Sequence, residues 1–246
     1  MIVGFRNKKE SINCYDKFNK IVAVSSVVKD SFIKFSGINT DKIDVIYNTN
    51  ETDEILKKSK EKIEDISIDN KYLNIISVGK LTKIKGVDRL LKVHKRLKEE
   101  GLIHKLYILG VGDDKDKIEK YIKENNLTDT FHLLGYKDNP YKYVAKCDLY
   151  VCSSYREGFS TAVTESLIVG TPVISTLCSG SQELLGYNNE YGLVVENSEE
   201  GIYEGLKKLL SDKDLLNYYK SKAEERGKRF NKKNTVREVE NLLDNI

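Results

Sequence analysis

Short apolar runs alternate with amphipathic stretches of helical length along most of this chain. The runs LNIISVG (73–79), HKLYILG (104–110), TFHLLG (130–135), DLYVCSS (148–154), TPVIST (171–176) and YGLVVE (191–196) predict strands. Helices are predicted between them, at about 86–100, 114–125, 139–146, 160–169 and 181–186, and the chain from about 198 to 246 reads as nearly all helical. This alternation predicts an α/β fold built on a doubly wound, Rossmann-like parallel sheet, because right-handed crossovers place helices on both of its faces.

The front of the chain carries a shorter version of the pattern. IVAVS (21–25) and IDVIYN (43–48) read as strands around a helix in VVKDSFIKFSG (27–37), and the charged stretch ETDEILKKSKEKIEDISIDN (51–70) reads as a linker with some helical content. Four segments are therefore expected: 1–50, the linker 51–70, a Rossmann-like domain over 71–228 and a terminal helix over 229–246.

Composition narrows the class. The chain has 246 residues, 39% of them hydrophobic and 32% charged, enough for a full core and typical of a globular protein. A formal net charge of +3 is too small to argue for a nucleic-acid partner. Cys14, Cys147, Cys152 and Cys178 form no CxxC pair, and His94, His104 and His132 do not join them at metal-ligand spacing, which suits free thiols in a reducing cytoplasm. No apolar run has the length of a membrane span, so a membrane contact is expected to be peripheral at most, at the inner face.

In sheets of this type ligands lie outside the carboxyl ends of the strands. Three strand-to-helix loops draw attention there: GKLTKIKG (79–86), GVGDD (110–114) and SSYREGFST (153–161). Lys80, Lys83 and Lys85 precede a helix start whose N–H groups favour negative charge, as a diphosphate site requires; the same lysines also read as a solvated face. Gly110 and Gly112 read as a close approach to a ligand or as a tight turn, and Asp113 and Asp114 as helix caps. In the third loop Glu157 can face a ligand, Gly158 lets the backbone come near it, and the N–H groups at Phe159, Ser160 and Thr161 suit an anion. Glu165 follows about one and a half turns into the next helix. Carboxylates beside an anion site are poor phosphate partners but good acceptors for sugar hydroxyls, and a nucleotide sugar offers both groups.

The segments GKLTKIKGVDRLL, FHLLGYKDN, AKCDLYVCSSYREGFSTAVTESLIVGTPVI and GSQELL, in this order and spacing, resemble the C-terminal half of the retaining GT-B glycosyltransferases of family GT4. The resemblance covers roughly residues 20 to 245. It implies that Glu165 holds the ribose hydroxyls of the donor nucleotide, that Glu157 contacts the donor sugar, and that the backbone of Gly158, Phe159, Ser160 and Thr161 binds the distal phosphate and sugar. Lys80 and Lys85 match the family's basic pair on the diphosphate, with Lys80 where arginine is usual, a point charge in place of a bidentate fork. Gly135 and Tyr136 fall where the family's backbone reads the base, with Leu134 and Lys137 lining that pocket. Glu183 in GSQELL reads as a sugar contact or as the cap of its own short helix.

The implied reaction transfers a sugar, with retention, from a nucleotide-diphosphate sugar to an acceptor in polysaccharide or glycolipid biosynthesis. It needs no metal and no cofactor beyond the donor, which is expected to be UDP-linked because uracil is the family's commonest base. Residues 1–50 match only the last strand and helix of the family's N-terminal domain, which supplies the acceptor site and a histidine near the reacting sugar. His94, His104 and His132 do not stand at that position and read as packing residues, so this chain is expected to bind donor with little or no activity alone. A GT-B nucleotide-sugar epimerase and a non-catalytic binding module are the alternatives. The terminal helix, NTVREVENLLDN (234–245), would cross back to the N-terminal domain, and its stripe of Val236, Val239, Leu242 and Leu243 is expected to be partly exposed and able to support a dimer.

Overall fold

A computed structural model describes residues 8–245. Six parallel strands form the main sheet: β3 (Leu73–Val78), β4 (His104–Leu109), β5 (Phe131–Gly135), β6 (Leu149–Cys152), β7 (Val173–Thr176) and β8 (Leu193–Val195). Their spatial order is β5-β4-β3-β6-β7-β8, so the chain winds outward from β3 in one direction and from β6 in the other. The winding reverses between β3 and β6, and their carboxyl ends open side by side into the crevice where such sheets hold ligands. The doubly wound parallel sheet predicted from the alternation is the one found.

Both faces of the sheet are covered, which is why the strand sequences are almost continuously apolar. Alternate residues of one strand enter opposite layers. Ile75, Leu106, Ile108, Leu149 and Val151 pack under α4 (Val87–Glu99), α5 (Lys115–Glu124) and α9 (Glu199–Ser211). Ile76, Tyr107, Leu109, Tyr150 and Cys152 pack on the other side under α6 (Tyr141–Val144), α7 (Thr161–Ile168), α8 (Ser181–Leu185) and α10 (Lys213–Gly227). Burying a side chain of this size removes about 1.5–3 kcal/mol of exposure cost, so a polar substitution at any of these strand positions would remove a large share of a domain's net stability.

The stretch read as a linker is packed. It opens with α3 (Thr52–Ser59), whose Ile55 is buried in the second layer, and Ile63, Ile66 and Ile68 pack against the same layer. Four isoleucines spaced among charges supply the contact, and the density of Lys and Glu hides it from a reading of composition. Before it, β1 (Ile21–Ala23) and β2 (Ile43–Val45) form a separate two-stranded parallel sheet, joined by α2 (Ser26–Ser36) and preceded by α1 (Lys8–Tyr15). Both strands are shorter than predicted. Ser25 leaves β1 to cap α2, its Oγ accepting from the Val28 N–H at 3.2 Å, and Gly37 at φ +72° ends that helix.

The helical C-terminal region ends in α11 (Lys232–Asp244), on which Val236, Val239 and Leu243 are exposed. His94 and His104 are both buried on the α4 side of the sheet. His104 Nδ1 donates to the Leu102 carbonyl at 2.8 Å, so its Nε2 accepts from His94 Nδ1 at 2.8 Å, and His94 Nε2 accepts from Thr130 Oγ1 at 2.9 Å. Burial lowers both pKa values, that of His94 to about 2. His132 is stacked on Tyr107 at 5.2 Å.

Candidate functional site

The loop after β3 runs from Gly79 through a single 3-10 turn, Lys83–Lys85, into α4. Gly86 joins them at φ +67°, and a Cβ there would stand 2.1 Å from the Ser153 carbonyl oxygen. Only glycine therefore allows the β3 and β6 loops to approach this closely. The glycines of the second loop have a comparable role. A Cβ on Gly110 would meet the Gly79 carbonyl oxygen at 1.9 Å, so GVGDD supports the basic loop from beneath by close backbone contact.

Arg89, which sequence reasoning passed over, fastens the two loops from below. It projects from α4, is 2% exposed, and donates to the Ser153 carbonyl at 2.8 and 2.5 Å and to the Ser154 carbonyl at 2.7 Å. Among the described residues no carboxylate forms an ion pair with it; its guanidinium also lies 3.9 Å from the Tyr155 ring centroid. An arginine on a charged helix usually faces water, and the one available signal was its place inside the apolar run Val87, Leu90, Leu91.

Above this floor, Lys85 Nζ donates to Glu157 Oε1 at 2.5 Å, and the Ser154 hydroxyl donates to the same oxygen at 2.8 Å. Lys85 and Glu157 line a small cleft with Gly79, Ser77, Tyr150 and Ser153. Lys80 is exposed and makes no ion pair among the described residues, whereas Lys83 turns to Asp88 and to the Tyr155 ring. The three lysines thus divide: Lys85 faces the crevice, Lys80 is unengaged, and Lys83 is occupied elsewhere.

Ser160 caps α7, accepting from the Val163 N–H at 3.4 Å, and the first turn of that helix contains no acid. An anion at Gly158–Thr161 would therefore meet the positive end of the helix without a competing carboxylate in that turn. The Phe159 side chain is buried and stacked on Tyr47 with centroids 4.9 Å apart, which leaves its backbone as the part available to a site. Glu165 lies one turn further on, partly buried, and accepts from the Tyr141 hydroxyl at 3.3 Å. Burial raises the Glu165 pKa, and burial with the Glu165 charge pushes Tyr141 up to about 12.

At the end of β5, Gly135 adopts φ +70° and Tyr136 is exposed. Lys137 is turned to Asp65, 2.5 Å away, and that contact together with a hydrogen bond from the Tyr143 hydroxyl holds the Asp65 pKa at about 2. Glu183 does not cap its own helix, one of the two roles considered for it. Its carboxylate accepts from the Ser26 N–H at 3.1 and 2.9 Å, from the Ser26 hydroxyl at 3.0 Å and from the Tyr47 hydroxyl at 2.8 Å, so it caps α2, far away in sequence. Its own helix, α8, starts at Gly180 without a side-chain cap.

Taken together, the crevice offers one fixed and one free lysine, an unopposed helix N-terminus and two carboxylates. That set suits a ligand with a diphosphate at one place and hydroxyl groups on either side of it. No group of three or more His, Cys, Asp or Glu side chains able to hold a metal occurs among the described residues.

A doubly wound parallel sheet with this switch-point crevice is a Rossmann-like α/β unit, and its structural neighbours are GT-B glycosyltransferases. The chain belongs to the family Glycosyl transferases group 1, which matches residues 58–226. It is 38% identical over 227 residues to the N-acetylgalactosamine-N,N'-diacetylbacillosaminyl-diphospho-undecaprenol 4-alpha-N-acetylgalactosaminyltransferase of Campylobacter jejuni, covering 92% of this chain and 60% of that protein. It is 30% identical over 245 residues to an uncharacterized glycosyltransferase of Methanocaldococcus jannaschii, covering 94% and 60%. The chain thus spans 60% of the length of these two relatives. Among solved structures, the Anabaena HepE protein in complex with UDP superposes with a TM-score of 0.83 at 16% identity, over 97% of this chain and 67% of that one. The sucrose-phosphate synthase of Thermosynechococcus elongatus gives 0.81 at 17%, over 97% and 61%. At these identities the two structures establish the shared fold.

Proposed function

We propose that this chain is the donor-binding part of a glycosyltransferase that moves a sugar, with retention, from a UDP-linked donor to a glycan or lipid acceptor in polysaccharide or glycolipid biosynthesis. The observation that carries the proposal is the Lys85–Glu157 pair at the switch point, set beside the N-terminus of α7. In this reading Lys80, Lys85 and the backbone of Gly158–Thr161 hold the diphosphate, Glu157 orients the donor sugar, and Glu165 accepts the ribose hydroxyls. Gly135 and Tyr136 present backbone to the base, with Lys137 at the rim.

Breaking the anomeric bond leaves negative charge on the departing nucleoside diphosphate. Groups already fixed where that charge develops lower the barrier most, since they need no rearrangement at the moment of reaction. Lys85 meets this condition, because Glu157 and the Arg89-fastened loop hold it in place before substrate arrives. The two lysines and the helix end supply this charge in the proposed mechanism, with no metal assigned a role. The acceptor site would come from sequence outside this chain, so the chain alone binds donor and transfers little. The Campylobacter relative, whose name specifies a diphospho-undecaprenol acceptor, favours a lipid-linked acceptor. No helix among the described residues is long and apolar enough to cross a membrane.

Calorimetric titration with UDP, GDP and ADP and their common sugars tests the reading. Selective binding of UDP and one of its sugars, unaffected by a chelator, is the expected result. Equal weak binding of all three diphosphates with no response to the sugar would refute it.

A further inference from the structure

The stretch read as a linker grips the segment that joins β5 to α6. Asn139 Nδ2 donates to the Lys58 carbonyl and to the Glu61 carboxylate, each at 2.9 Å, and Lys142 Nζ donates to the Lys62 carbonyl at 3.1 Å. Asp65 takes the Lys137 ammonium at 2.5 Å and the Tyr143 hydroxyl at 2.6 Å. Residues 58–65 thus form a strap that holds the segment at Lys137, Asn139, Lys142 and Tyr143.

Tyr141 lies inside this strapped segment but faces elsewhere. It opens α6 directly after Pro140, whose ring fixes φ at −73°. Its side chain packs, half-buried, against the second core layer, while its hydroxyl crosses to α7 and donates to Glu165 Oε1 at 3.3 Å. The ring alone would satisfy the core, so the hydroxyl is the part that packing does not explain. Among the described residues it is the only donor to the Glu165 carboxylate.

That contact matters for two reasons. The last torsion of a glutamate has no sharp preference, so a carboxylate without a partner turns easily about it. One donor on one oxygen fixes its plane and still leaves each oxygen a lone pair for an incoming hydroxyl. The second reason is charge. Burial raises the Glu165 pKa and so favours the neutral acid, while the Tyr141 hydrogen bond acts in the opposite direction. No ion pair helps Glu165 among the described residues. The other groups that feel its charge are Tyr141 itself and Tyr150 on β6, and Glu54 of α3 acts on Tyr141 as well.

We propose that Tyr141 is a positioning residue for donor binding, its hydroxyl setting the plane of the Glu165 carboxylate so that both oxygens meet the ribose of the nucleotide. This rests on the reading of Glu165 as the ribose acceptor. The strap matters to it because it holds Tyr141 before the nucleotide arrives.

The test is calorimetry at fixed salt with UDP and with its dideoxy analogue, which lacks both ribose hydroxyls. The ratio of the two affinities is read for the unaltered chain, Tyr141→Phe, Tyr143→Phe and Glu165→Ala. Phenylalanine keeps each ring, and melting curves check the fold. In Tyr141→Phe the ratio should fall by about three- to tenfold, the weight of one ordinary hydrogen bond. It should fall further in Glu165→Ala and stay unchanged in Tyr143→Phe, whose hydroxyl serves Asp65. Loss of UDP affinity on acidification should also begin at higher pH in Tyr141→Phe, because the carboxylate then protonates more readily. An unchanged ratio in Glu165→Ala would remove the ribose reading and this inference with it. A ratio that falls in Glu165→Ala but not in Tyr141→Phe, an equal fall in Tyr143→Phe, or an unshifted acid profile would each overturn the inference alone.

Discussion

Replacing Arg89 by methionine tests whether the buried guanidinium is what sets the distance between the two loops of the crevice. Methionine keeps most of the volume and removes the charge. The Ser154 carbonyl would still accept from the Thr176 hydroxyl at 2.7 Å, but the Ser153 carbonyl would lose both of its Arg89 donors, at 2.8 and 2.5 Å. A buried carbonyl left without a donor costs about 1–3 kcal/mol. Removing a buried charge that has no carboxylate partner returns part of its desolvation penalty, so the net loss should lie near the lower end, about 1–2 kcal/mol. With a urea slope of roughly 3 kcal/mol/M for a chain this size, the unfolding midpoint should fall by about 0.5 M. Arg89→Lys should be intermediate, since an ammonium can reach a carbonyl but cannot bridge two. Nucleotide affinity should fall along with stability, because Ser154 and Glu157 stand on the segment that Arg89 holds. A stable Arg89→Met variant with unchanged nucleotide affinity would refute the reasoning.

Acidification should destabilise the protein through the His94–His104 pair. The folded pKa of His94 lies near 2, far below its ordinary value of about 6.5, so the unfolded chain takes up protons first and stability falls as pH drops below about 6.5. One such histidine costs about 1.4 kcal/mol by pH 5.5, and denaturant titrations at both pH values should show at least that loss; a flat profile would contradict the buried array. Glu183→Ala should cost about 1–2 kcal/mol and speed amide exchange at Ser26, because it removes the carboxylate at the start of α2, while Glu183→Gln should recover part of the effect. Unaltered exchange at Ser26 in the alanine variant would show that the capping contact is unimportant in solution.

The sheet was legible because its strands are buried on both sides: Ile75 and Ile76 enter opposite layers, so the run LNIISVG is apolar at successive central positions rather than at alternate ones. The site loops were legible for a related reason. Strand ends are marked by glycine, and Gly86 is glycine because Ser153 stands against it. What stayed hidden depends on contacts distant in sequence. Nothing near Glu183 announces that its partners are Ser26 and Tyr47, the first 157 positions away. Arg89 looks like a surface arginine until the Ser153 carbonyl is placed over it, and Lys137 looks free until the 51–70 stretch folds back and brings Asp65 to it. The charge of that stretch suggested a linker, whereas its four isoleucines decide its packing.

The donor assignment rests most directly on the response of UDP affinity to two single changes, Lys85→Ala on the basic loop and Glu165→Ala on α7, measured by calorimetry at fixed salt. A charge-assisted contact is worth about 1.5–3 kcal/mol, so each change should weaken UDP binding by roughly tenfold or more while the fold, read by its melting curve, stays intact. UDP bound equally well by both folded variants would place the nucleotide elsewhere and contradict the account.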